Sequence, residues 1–153
     1  MTVNDVFKYN GIIKNIIDNG VDVTPLVKFK LLGMLKQFEP VLDNFEKIRN
    51  EQIYKYGKQD SDGNYGIFLP KKEDFEDEKK YQDAVAEYET IVKKINDELE
   101  SIAKSEADFE LQKFNYADIV DSGLSADYLL ELYDLIEEWF GGMNNGNINR
   151  YVC

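Results

Sequence analysis

Carboxylates are the residues this sequence supplies most generously for chemistry. Asp60-Ser-Asp-Gly-Asn opens like a calcium-binding loop. Such a loop needs Gly at its sixth position and Glu at its twelfth. Counted from Asp60, those places hold Tyr65 and Lys71. The pattern fails at both, so the stretch reads as a turn tip with solvated acids. No metal and no cofactor is expected. Paired acids such as Glu137-Glu138 and Glu87/Glu89 have the right side chains for acid–base hydrolysis. No catalytic motif stands near them, so a carboxylate-dependent hydrolase is only a remote alternative, and the expectation is a protein that is not an enzyme. The sequence has no His, which removes Ser-His-Asp and Cys-His nucleophiles and imidazole metal ligands. Its single Cys, Cys153, excludes an internal disulfide and a CxxC zinc site. Gly141-Gly142 follows a helical pattern rather than opening one, so it reads as a stop, not a phosphate loop.

Charge is the second chemical resource, and it is uneven. The chain of 153 residues carries 18 Lys+Arg and 30 Asp+Glu, net −12. Residues 1–58 hold 9 basic and 7 acidic residues, net +2, and residues 59–153 hold 9 and 23, net −14. Between Asp97 and Glu138 stand 13 acids against Lys104 and Lys113. A chain this acidic is a poor phosphate binder, so no direct nucleic-acid binding is expected. Its acids suit a basic protein partner. Glu131, Asp134, Glu137 and Glu138 are the candidate acidic surface.

Elements must position these groups. Asp5 to Asn19 reads as a short amphipathic helix with Asn4 or Asp5 as cap and Gly20 past its end; a strand before Asn10-Gly11 is the alternative. Thr24-Pro25 starts a long helix. Its apolar residues Leu31, Leu35, Phe38, Leu42 and Phe45 recur in a heptad-like seam as far as about Tyr54, with a bend expected at Pro40. A second long helix is expected from Glu73 or Asp74, with Tyr81, Val85, Tyr88, Val92, Ile95, Leu99 and Ile102 as its seam. Each helix of about 30 residues is roughly 45 Å long. The economical arrangement is an antiparallel helical hairpin.

Tyr56 to Pro70 interrupts the helices. Its Asp62-Gly63 suits a type I′ turn, and a small β-hairpin is expected at the connection. Tyr56 and Tyr65 there are candidate interaction residues, because exposed tyrosines serve protein recognition; roofing the end of the helices is the plainer reading. Ala107 to Tyr116 alternates, with Phe109, Leu111 and either Lys113 or Phe114, and reads as a short strand or extended segment. Ser125 caps a last helix, Ala126 to Phe140, whose inward face carries Tyr128, Leu129, Leu132, Leu135, Ile136 and Trp139. The fold class is therefore mainly α with a small β element: a single helical domain over 1–140 and a flexible C-terminal tail over 141–153. Apolar positions outside the seams, Ile12, Ile16 and Phe29, fit either core or interface, which leaves a homo-oligomer open. No apolar run approaches the roughly 18 residues of a membrane span, and Met1-Thr-Val-Asn-Asp is not the basic opening of a secretion signal.

The order of features resembles a known family. A small helix leads to Leu42-Asp-Asn-Phe-Glu-Lys-Ile-Arg-Asn-Glu-Gln-Ile-Tyr-Lys-Tyr-Gly. A charged Asp-Ser-Asp-Gly turn, a second long helix ending in acids, Phe109-Glu-Leu and Leu124-Ser-Ala-Asp-Tyr-Leu-Leu-Glu-Leu follow. Over roughly 4–140 this is similar to an uncharacterised family of small, mostly helical proteins of tailed bacteriophages. The family has no known catalytic residues, so no chemistry transfers. The resemblance implies a phage origin and an accessory, virion- or assembly-associated role, acting through a phage structural protein or a host protein. The competing expectation is a host-defence inhibitor, anti-CRISPR-like, whose acidic surface blocks a nucleic-acid-binding protein. Either role places the protein in the host cytoplasm or the virion.

Overall fold

The computed structural model describes residues 1–137. The protein is mainly α, with one two-stranded antiparallel sheet. The order is α1 (Val3–Asp18), α2 (Pro25–Tyr56), β1 (Lys58–Gln59), β2 (Tyr65–Gly66), α3 (Glu78–Lys104), α4 (Tyr116–Val120) and α5 (Ala126–Glu131). Single 3₁₀ turns cover Lys72–Asp74 and Tyr133–Leu135. Two compact units divide the chain: Met1–Phe7 with Phe38–Asp108, and Lys8–Gln37 with the chain from Phe109 onward.

The first unit holds the helical hairpin. Pro40, Val41 and Phe45 of α2 line a groove with Ile102 and Ser105 at the end of α3. Tyr56, at the end of α2, instead meets Lys94 and shares a cleft with Ala84, Tyr88 and Ile91. The two helices therefore run antiparallel, and β1 and β2 lie between them in the chain, with Lys58 facing Gly66 and Gln59 facing Tyr65. The α3 seam residues from Tyr81 to Ile102 are half-buried, and Ile95 among them is buried. Proline at 40 removes one helical N–H without ending α2. Val3, Val6 and Phe38 complete the buried set of this unit, and Phe7 packs edge-on against Phe45 at 5.0 Å.

Helix starts are set by side chains more finely than the expected boundaries. Thr2 and Asp5 form a reciprocal box: the Asp5 amide donates to Thr2 Oγ1 at 3.2 Å, and the Thr2 amide donates to Asp5 Oδ2 at 2.8 Å. The cap of α1 is thus Thr2, not Asn4 or Asp5, and Asn10-Gly11 lies inside the helix. Helix α3 starts at Glu78, later than expected, because Asp77 takes the cap and accepts from the Lys79 amide at 3.0 Å. Phe75, extended and half-buried, separates that cap from the acids Glu73 and Asp74. The segment 107–116 forms no strand. In the first unit, Ala107 N–H donates to Met1 O at 2.9 Å, beside a single bridge between Thr2 and Glu106.

The second unit has the denser core: Tyr9, Ile13, Ile16, Val27, Leu31, Met34, Phe114, Ile119, Leu124, Leu132 and Leu135 are all buried. Of the three apolar positions left undecided, Ile16 belongs to this core, Ile12 is half-buried and Phe29 is 77% exposed. Gly20 and Val21 close α1 with amide bonds to Ile17 O and Ile16 O, the Schellman pattern. The connection to α2 is then latched to the turn after α4. Thr24 N–H donates to Ser122 O at 2.9 Å. Gly123, at φ +92°, comes so close that a Cβ would stand 2.2 Å from Asp22 O. Lys30 Nζ sits 3.0 Å from Asp118 Oδ2.

The expected last helix, Ala126 to Phe140, is shorter. Helix α5 ends at Glu131, and a 3₁₀ turn carries Leu135 into the core. Phe114 explains the change. This fully buried residue donates its amide to Leu135 O and accepts from the Glu137 amide, each at 2.8 Å. Buried backbone groups need partners, and this bridge holds Ile136 in extended conformation. Trp139, Phe140 and the expected tail lie outside the described residues.

Candidate interaction surface

The end of the helical hairpin is built on Asp60. Its Oδ1 accepts from the amides of Asp62 at 2.9 Å and Asn64 at 2.8 Å. These bonds, the Asn64 backbone amide first, hold the Asp60 carboxyl below its ordinary value. The Gly63 amide donates to Asp60 O, and the Asp60 amide donates to Asn64 O. Gly63 alone takes a positive φ, +87°, within this loop. Asp62-Gly63 is therefore not a type I′ turn, which needs positive φ at both residues. The capping carboxylate of Asp60 draws in the Asp62 and Asn64 amides and favours the three-residue loop Ser61-Asp62-Gly63. Asp60, the first residue of the calcium-like stretch, is thus spent on its own backbone. Among the described residues no group of three or more Asp, Glu, Cys or His is placed to hold a metal.

This loop holds an aromatic surface. Tyr65 packs against Tyr54 with ring centroids 4.9 Å apart and the rings tilted by 53°. Tyr54 is 64% exposed and Tyr65 47%, and beyond them Phe68 and Leu69 are 51% and 62% exposed. Tyr56 is half-buried. The ammonium groups of Lys55 and Lys94 stand 5.0 and 5.2 Å from its ring centre. Hydrogen bonding with Lys94 foremost, then Lys55, holds its phenol below the usual value. Beside Tyr56 lies a cleft of about 290 Å³, floored by Ile67, Phe75, Tyr88 and Ile91, with Lys58, Asp74 and Glu87 among its polar groups. Tyr56 and Tyr65 thus belong to one neighbourhood, one with its edge in the cleft and the other on the outer face. Phe68 and Leu69 were readable only as strand formers. Their exposure follows from β2 stopping at Gly66, before either of them.

The acidic candidates sit differently. Glu131 ends α5, Asp134 lies in the 3₁₀ turn, and Glu137 follows the bridge to Phe114. They do not share the face of one helix, as a helix from 126 to 140 would require. All three are exposed. Asp134 Oδ2 accepts from the hydroxyl of buried Tyr9 at 2.8 Å, so that acid has a structural task. Glu138 lies outside the described residues.

No protein-family model matches the chain, and no curated protein and no solved structure matches it either. No described helix is long and apolar enough to cross a membrane.

Proposed function

We propose that the chain is a non-catalytic accessory protein of a tailed bacteriophage, associated with the virion or its assembly. It acts by binding a phage structural protein through the end of its helical hairpin. The observation that carries this reading is the exposed pair Tyr54 and Tyr65, in ring contact, with Phe68 and Leu69 exposed at the Tyr56 cleft of the same hairpin end. Large exposed aromatic side chains are usual anchors of protein recognition. Lys55, Lys58 and Lys94 border Tyr56 and its cleft, which suits a partner offering an apolar patch rimmed by hydrogen-bond acceptors. The phage setting is supported by the family resemblance of the sequence. Mass spectrometry of purified particles and assembly intermediates tests it. The expected result is a fixed copy number in one of them. Absence from both contradicts the role.

The exposure of Glu131, Asp134 and Glu137 favours a second reading, an inhibitor that meets a basic host protein. Surface charge pairs are screened by salt. Binding of that kind weakens steeply between low and high salt and on charge reversal of Glu131 and Glu137. Salt-insensitive binding removes it.

A further inference from the structure

The first half of α2 is amphipathic in an unusual sense: both of its faces carry large apolar residues. Val27, Leu31, Met34 and Phe38 are buried. At 3.6 residues per turn, Phe29 lies opposite them, flanked by Leu26 and Leu32. These three side chains are 77%, 50% and 46% exposed. Gly33 lies on the same outward face, and a Cβ built there meets nothing within 4 Å. A second helix can therefore approach this backbone closely. Within this stretch of α2 the charged residues are all lysines, and the first acid of the helix is Glu39. Residues 25–38 contain Lys28, Lys30 and Lys36 and no Asp or Glu. Lys30 is engaged with Asp118, whereas Lys28 and Lys36 are exposed; Lys28 stands to one side of the apolar line and Lys36 continues it one turn past Gly33.

We infer that this face is a docking site for an acidic amphipathic helix of a partner protein. The stripe takes apolar side chains spaced i, i+3, i+4 and i+7, and Lys28 beside it and Lys36 at its end pair with carboxylates of the partner helix. A second copy is the poorer occupant. A second copy would bring one acid-free, lysine-bearing stretch 25–38 against another, so it offers Lys28 and Lys36 no carboxylate from that stretch and adds like charge at the contact. The face belongs to the second unit and stands independently of the role assigned to the hairpin end.

The test uses the full chain and a synthetic helical peptide with Leu at i, i+3, i+4 and i+7 and Glu at the remaining positions. Its control carries Lys in place of Glu. Binding is read by fluorescence anisotropy at low and high salt. The acidic peptide binds and the basic one does not. Phe29→Ala weakens binding about tenfold or more, the scale of losing one anchor. The double charge reversal Lys28→Glu with Lys36→Glu abolishes it and confers binding of the basic peptide. Leu69→Ala, at the hairpin end, leaves it unchanged. Circular dichroism confirms that the variants fold, as expected for such exposed positions. Failure of the acidic peptide to bind, equal binding of both peptides, or indifference to Phe29→Ala and to the charge reversal overturns the proposal. So does a dimer in sedimentation that Phe29→Ala dissolves, because it assigns the face to a second copy.

Discussion

Asp60 shows how one residue sets a surface. Its carboxylate is worth more to the loop as a backbone cap than as a metal ligand, since two amides already point at one of its oxygens. Asp60→Ala should speed hydrogen exchange at the amides of Asp62 and Asn64 and leave α3 protected. The pH dependence has a fixed sign. The folded-state value of Asp60 is lowered, so its contribution is complete at neutral pH and is lost as pH falls through that lowered value. Protection of the two amides should therefore hold through the ordinary carboxylate range and collapse only below it. Tyr56 makes the matching case at high pH. Its phenol is held down chiefly by Lys94, so a component of the ultraviolet tyrosinate titration should ionise ahead of the other tyrosines. Lys94→Met should move that component up. No early component, or one that Lys94→Met does not move, contradicts this pairing.

At the scale of elements, the turn that latches the start of α2 gives a sharp test. Gly123 combines a left-handed backbone with close approach to Asp22. Gly123→Ala should cost on the order of 2–3 kcal/mol, measured by denaturant unfolding; Gly33→Ala, with open space around it, should be stabilising or neutral. What the sequence disclosed follows the same division between local and distant causes. The two long helices, their seams and the hairpin between them were legible, because periodicity and Thr24-Pro25 are local signals. The cap of α4 was equally local: Asn115 accepts from the Ala117 amide at 3.0 Å, and Asn with Asp118 three places on is a readable start. The alternation at Phe109 and Leu111 just before it masks this start. The early end of α5 was not legible. It depends on Phe114, more than twenty positions away in the chain, whose buried backbone takes its partners from Leu135 and Glu137. The candidate surface divides likewise. The tyrosines were visible as residue types and Lys55 is the chain neighbour of Tyr56, whereas Lys94 meets that ring only when α3 folds back.

At the scale of the whole molecule, the charge imbalance acquires a place. The net +2 of residues 1–58 includes the start of α2, residues 25–38, where the charged residues are all lysines. The acids Glu131, Asp134 and Glu137 are divided among a helix end, a 3₁₀ turn and an extended segment. The hairpin end, by contrast, gathers its aromatic groups within one compact unit. The central claim is that this end binds a phage structural protein. Site-specific photo-cross-linking from positions 65 and 68 during infection tests it most directly, with Thr90, exposed on α3, as the control position. The expected result is one discrete adduct with a phage structural protein from both aromatic positions and none from position 90. Adducts of equal yield from all three positions, or none from 65 and 68 while the protein is abundant, would contradict it.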